Sequence, residues 1–96
     1  MEEINEQSNQ TQDIINIGND PVMLTATEVL AKLMIKNEII LKARGQSIPN
    51  AVAVANIITG TMATGVYKIE KIKLDTVAEA GIGNMTSTVE IIINKN

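Results

Sequence analysis

The chain has no cysteine and no histidine. Thiol chemistry, thiolate metal sites and imidazole catalysis are therefore excluded. A chain without cysteine also suits a reducing compartment. Phenylalanine and tryptophan are absent too, and Tyr67 is the only aromatic residue. The core must be built from isoleucine, valine, leucine and alanine. A chain of 96 residues has little buried area to spare, so dimerisation is expected to supplement it. No apolar run approaches the ~20 residues of a membrane span, and the acidic start lacks the pattern of a signal peptide. No membrane partner is expected. Gly81-Ile82-Gly83 lacks the third glycine and the strand-to-helix setting of a dinucleotide fingerprint. Ser47, Ser87, Lys42 and Glu90 can be grouped on paper, but no general base, metal cluster or phosphate loop accompanies them. The expectation is a protein that is not an enzyme, with no cofactor, metal or small-molecule substrate.

The net charge of −3 is unevenly spread. Residues 1–20 carry Glu2, Glu3, Glu6, Asp13 and Asp20 with no cation, so the remainder holds all eight cations against six acids. Residues 1–12 are polar, acidic and nearly free of apolar anchors, the composition of a disordered tail. Residues 13–96 then form one mildly basic domain.

Along that domain, Asp13–Ile17 reads as a first strand ended by Gly18. Asp20 and Pro21 read as the N-cap and first-turn proline of a helix reaching about Lys36. Val22, Ala26, Val29, Leu30 and Leu33 recur at helical spacing, flanked by Met23 and Met34, which are expected to fill the core. Asn37 breaks this helix. Ile39-Ile40-Leu41 makes a second strand, parallel to the first if the crossover is right-handed. Gly45 turns the chain, Ser47 is a candidate N-cap, and Pro49 suits the first turn of a second helix running to about Met62. Ile48, Val52, Ala55 and Ile57 or Ile58 are expected to face inward. Val66–Thr76 is a long strand whose alternation slips between Glu70 and Ile72, which suggests a bulge. Thr86–Lys95 is its partner, with Ile91-Ile92-Ile93 suggesting a central strand covered on both faces. Residues 77–85 between them read as a projecting hairpin arm. The fold class is α+β: a β-α-β-α-β-β two-layer sandwich, with both helices on one face of a mixed four-stranded sheet.

Ile17-Gly18 followed by Pro21-Val22-Met23, then Lys42-Ala43-Arg44-Gly45, Ile48, Ala51-Val52 and Ser87-Thr88-Val89-Glu90-Ile91 fall in one order and spacing over residues 13–95. In this the chain resembles the archaeal Alba family of chromatin proteins. The resemblance implies a homodimer that binds double-stranded DNA, and often RNA, in the cytoplasm and associated with the chromosome. It implies phosphate contacts from the loop after the first strand (Gly18, Asn19, Asp20, Pro21) and the turn after the second (Lys42, Arg44, Gly45, Gln46). The hairpin arm, with Glu79, Gly81, Gly83 and Asn84, would reach toward the minor groove. Four places depart from the family pattern. Members commonly have a lysine pair where Asn19-Asp20 stand and often a second arginine at Gln46, the end of the second helix is often basic with a phenylalanine but is Thr59-Gly60-Thr61-Met62 here, and the arm has no cation and carries Glu79. Each lost phosphate contact removes counterion release, so binding is expected to be weaker or more selective, with a shallower salt dependence. The alternative is an RNA- or protein-complex subunit that keeps the scaffold without coating DNA.

The residues read the same way on their own. In an extended strand Ile39, Leu41 and Ala43 point to one side, and Lys42 and Arg44 to the other. Arg44 can fork onto a phosphate and Lys42 can add a point charge. Otherwise the two cations form local pairs with Glu38 or Glu90.

Overall fold

The computed structural model of the chain describes residues 13–78 and 85–96. The elements run β1 (Asp13–Asn16), α1 (Val22–Lys36), β2 (Glu38–Arg44), a 3-10 turn (Gly45–Ser47) and α2 (Ile48–Ile57). A π-helical turn (Ile58–Met62), β3 (Tyr67–Ala78) and β4 (Met85–Lys95) complete the chain. The sheet order is β1-β2-β4-β3. β1 lies parallel to β2, whereas β4 is antiparallel to both β2 and β3, so the sheet is mixed.

Both helices cover one face. Ala26, Val29 and Leu33 of α1 and Ala51, Val54, Ala55 and Ile58 from the second helical segment share a core with the sheet. Ile39, Leu41, Ala43, Val89, Ile91 and Ile93, with Tyr67 of β3, are the strand residues of that core. The strand residues alternate, as one face of a pleated strand requires. Burial of each such leucine, isoleucine or valine stabilises the fold by roughly 1.5–3 kcal/mol. The sole aromatic, Tyr67, is buried at the margin.

Local signals end the elements. Asn37 closes α1 in the left-handed region at φ 70°, its N–H donating to the Leu33 carbonyl at 2.9 Å. Gly45, at φ 56°, makes the turn out of β2, where a side chain would be strained. The last helical turn of the second segment widens to π geometry, with Ala63 N–H donating to the Ile58 carbonyl at 2.9 Å. There the Thr59 hydroxyl donates to the Ala55 carbonyl, and Gly60 adds no side chain to hold the tighter turn.

Several expectations are corrected. Asp20 does not cap α1: Pro21, extended at ψ 133°, occupies the cap position, and no side chain makes a cap hydrogen bond to the first-turn N–H groups. Ser47 does take the N-cap position of α2, but it is already helical, as part of the 3-10 turn, and its hydroxyl makes no cap bond. Met23 and Met34 are not core residues, being 56% and 71% exposed on a side of α1 that no described element covers. Val52 points outward while Ala51 and Val54 point in. β4 is an interior strand, as its isoleucine run suggests, but only Ile91 and Ile93 are covered by helices. Ile92 is half-buried on the opposite, helix-free face. Pairing of β3 with β4 continues to Ala78 and Met85, so the strands run further into the expected arm than their alternation indicated.

Candidate nucleic-acid interface

Parallel strands send the chain out at the same end of a sheet, and β1 and β2 do so here. Asn16 lies opposite Lys42, and the Ile17 N–H donates to the Lys42 carbonyl at 2.7 Å. The loop Gly18, Asn19, Asp20 and Pro21 is therefore beside the turn that follows β2, and all four residues are exposed. Arg44, Gly45 and Gln46 are exposed as well, while Lys42 is half-buried. Asn50, in the first turn of α2, ties the two segments together: its side-chain amide donates to the Gly18 carbonyl at 2.8 Å. Spacing could not reveal this residue, because its partner is 32 positions away. Both helices also begin here, and their unpaired N–H groups and positive dipole ends suit an anion.

The face of the sheet without helices carries the cations. Its rows, read from β3 to β2, are Asp75–Thr88–Arg44, Lys73–Glu90–Lys42, Lys71–Ile92–Ile40 and Lys68–Asn94–Glu38. Five of the eight cations of the chain thus share one face. The bulge makes this possible. Lys68 and Lys71 are three residues apart and would lie on opposite sides of a regular strand. The register shift between Ile69 and Lys71 inserts Glu70 as an extra residue and returns Lys71 and Lys73 to the side of Lys68. Glu70 accepts a hydrogen bond from the Asn94 amide.

Glu90 sits between two of these cations. One of its carboxylate oxygens is 3.5 Å from Lys42 Nζ and the other is 3.9 Å from Lys73 Nζ. Lys42 is therefore engaged by Glu90, one of the two local partners the sequence offered, while Glu38 lies two rows away. Beside this row is a hollow of 480 Å³ lined by Asn16, Lys42, Arg44, Thr88 and Glu90, with Ile17, Ala43 and Val89 between them. Among the described residues there is no cluster of three metal-ligating side chains, and no helix is long and apolar enough to cross a membrane. The arm residues Glu79, Gly81, Gly83 and Asn84 lie outside the described residues.

A family model described as Alba matches residues 13–76. The chain belongs to the Alba family. It is 35% identical over 92 residues to a DNA/RNA-binding protein Alba of Nitrosopumilus maritimus, an alignment covering 93% of this chain and 97% of that protein. Alba from Thermoplasma volcanium is 34% identical and superposes with a TM-score of 0.75 over 85% of this chain and 99% of its own. ALBA1 from Trypanosoma brucei shares the fold at 18% identity, with a TM-score of 0.69 over 86% of this chain and 68% of its own. In this Alba-family chain the loop after β1 presents Asn19 and Asp20 to solvent, a neutral and an acidic group beside Lys42 and Arg44.

Proposed function

We propose that the protein is a homodimer that binds double-stranded DNA, with RNA as a second partner, through Gly18–Pro21 and Lys42, Arg44, Gly45 and Gln46. The supporting observation is the juxtaposition of that loop and turn at the one sheet end where both helices begin. The N. maritimus relative, named as a DNA/RNA-binding protein, supports the same ligand class. Binding is weaker and more selective than in members with a lysine pair, because Asn19 and Asp20 supply no cation and Glu90 already neutralises part of Lys42. The protein acts in the cytoplasm on the chromosome. An acidic tail, residues 1–12, precedes a nucleic-acid-binding domain, residues 13–96.

Dimerisation uses α2 with β3 and β4. Val52, Ile72 and Leu74 are 41%, 52% and 76% exposed, and Ile48 and Leu74 line one shallow depression. Such a surface favours a second protein face over water.

The test is a mobility shift with duplex DNA and duplex RNA across a salt series. Retardation at low salt that fades as salt rises is the expected result. Failure to retard either duplex at low salt would favour the second reading, a protein-complex subunit on the same scaffold. The scarcity of cations at Asn19-Asp20 is the observation on that side.

A further inference from the structure

We propose that the hollow beside Glu90 is a site for a single unpaired guanine. This deepens the nucleic-acid reading above and rests on it. The hollow is lined by Asn16, Lys42, Arg44, Thr88 and Glu90 from the helix-free face, with Ile17, Ala43 and Val89 between them, and its 480 Å³ falls within the range of roughly 300–1,000 Å³ typical of small-molecule sites.

The chemistry of its walls selects the occupant. A carboxylate offers two acceptor oxygens side by side and no donor. Among the nucleobases only guanine presents two adjacent donors, N1–H and the N2 amino group, on one edge. Adenine and cytosine each offer a single amino group there, and uracil a single ring N–H. In a duplex those guanine donors are consumed by pairing, so the base must be unpaired, as it is in loops and single strands.

The ion pairs around Glu90 do not stand in the way. Its oxygens are 3.5 Å and 3.9 Å from the two lysine nitrogens, beyond ordinary hydrogen-bond length. The side chain is 33% exposed. Loose, partly exposed pairs of this kind are worth only ~0–1 kcal/mol. An incoming base can therefore take the carboxylate, while Lys42 and Lys73 remain on either side of it to meet the phosphates flanking that nucleotide. No aromatic side chain is available to stack on the base, since Tyr67 is buried on the other face. The guanidinium plane of Arg44, at the rim, provides a flat surface instead. The Asn16 amide and the Thr88 hydroxyl add donors for the acceptors of guanine.

The probes are RNA hairpins with one constant stem and a loop holding a single guanine, inosine or adenine, together with the stem duplex alone. Inosine lacks only the N2 amino group. Binding to the full chain is followed by fluorescence anisotropy. The expected result is about tenfold tighter binding of the guanine loop than of the inosine loop, the scale of one hydrogen bond of a bidentate base contact. Glu90→Gln should abolish that preference while leaving affinity for the stem duplex equal or higher. Equal binding of guanine and inosine loops by the wild-type chain overturns the proposal, and because that comparison alters the RNA alone it holds whether or not the variant folds. A preference that persists in Glu90→Gln also overturns it. So does a uniform tightening of every probe by Glu90→Gln without a wild-type preference, which would make Glu90 an electrostatic restraint only. If the stem duplex binds but the loops are not discriminated, the guanine site alone falls. If nothing binds at low salt, the nucleic-acid reading falls with it.

Discussion

Lys42 and Arg44 stand two residues apart on one face of β2, yet their surroundings differ. Lys42 is half-buried and paired with Glu90 at 3.5 Å, whereas Arg44 is exposed where the chain leaves the strand. Arg44→Ala is expected to weaken duplex DNA binding and to reduce the slope of log affinity against log salt by roughly one phosphate contact. Its melting temperature should change little, because no core contact is lost. A large drop in melting temperature with unchanged binding would make the residue structural. Conversely, Asn19→Lys combined with Asp20→Lys should strengthen duplex binding and steepen the salt dependence, read from the same titration. Strand alternation in the sequence was enough to put Lys42 and Arg44 on one side. It could not choose between Glu38 and Glu90 as partner, because that choice is made by the register of β2 on β4, two strands separated by 40 residues. That register brings Glu90 beside Lys42, and the bulge in β3 brings Lys73 to the same row, neither of which spacing along the chain displays.

At the scale of elements, legibility followed the contrast between polar and apolar positions. In α1 the stripe Ala26, Val29 and Leu33 is set against Glu28, Lys32 and Lys36, and the buried face was read correctly. Met23 and Met34 went wrong because hydrophobic character says nothing about whether a neighbour exists to cover that side. In α2 the run Ala51-Val52-Ala53-Val54-Ala55 has no polar residue to mark the outer face, so its phase could not be fixed. The π-helical turn left no pattern in the sequence at all. Leu33 is fully buried between α1 and the sheet. Leu33→Ala should therefore destabilise the protein by about 2–5 kcal/mol, through lost burial and the cavity left behind. Denaturant unfolding monitored by circular dichroism measures this directly, and a loss well under ~1 kcal/mol would show that the helix layer can collapse into the gap.

For the whole molecule, the two sides of the hairpin differ in chemistry, lysines on one and exposed apolar residues on the other. Leu74, on the helix side of β3, is 76% exposed, and Leu74→Glu should convert the proposed dimer to a monomer in sedimentation at micromolar concentration. A wild-type chain that already sediments as a monomer would sink the dimer. The division between these sides rests on Glu70 being set aside as the bulge residue. Removing Glu70 alone would bring Ile69 next to Lys71 in plain alternation, with Lys71 and Lys73 still on the side of Lys68 and Ile72 and Leu74 still on the helix side. Removing or adding one residue between Lys71 and Asp75 would instead turn over the strand beyond the change and exchange the identities of the two surfaces, unless a second bulge took it up. An odd change of length is therefore silent at the bulge and disruptive beyond it, which makes Glu70 the position where descendants of the chain can shed a residue without altering either surface.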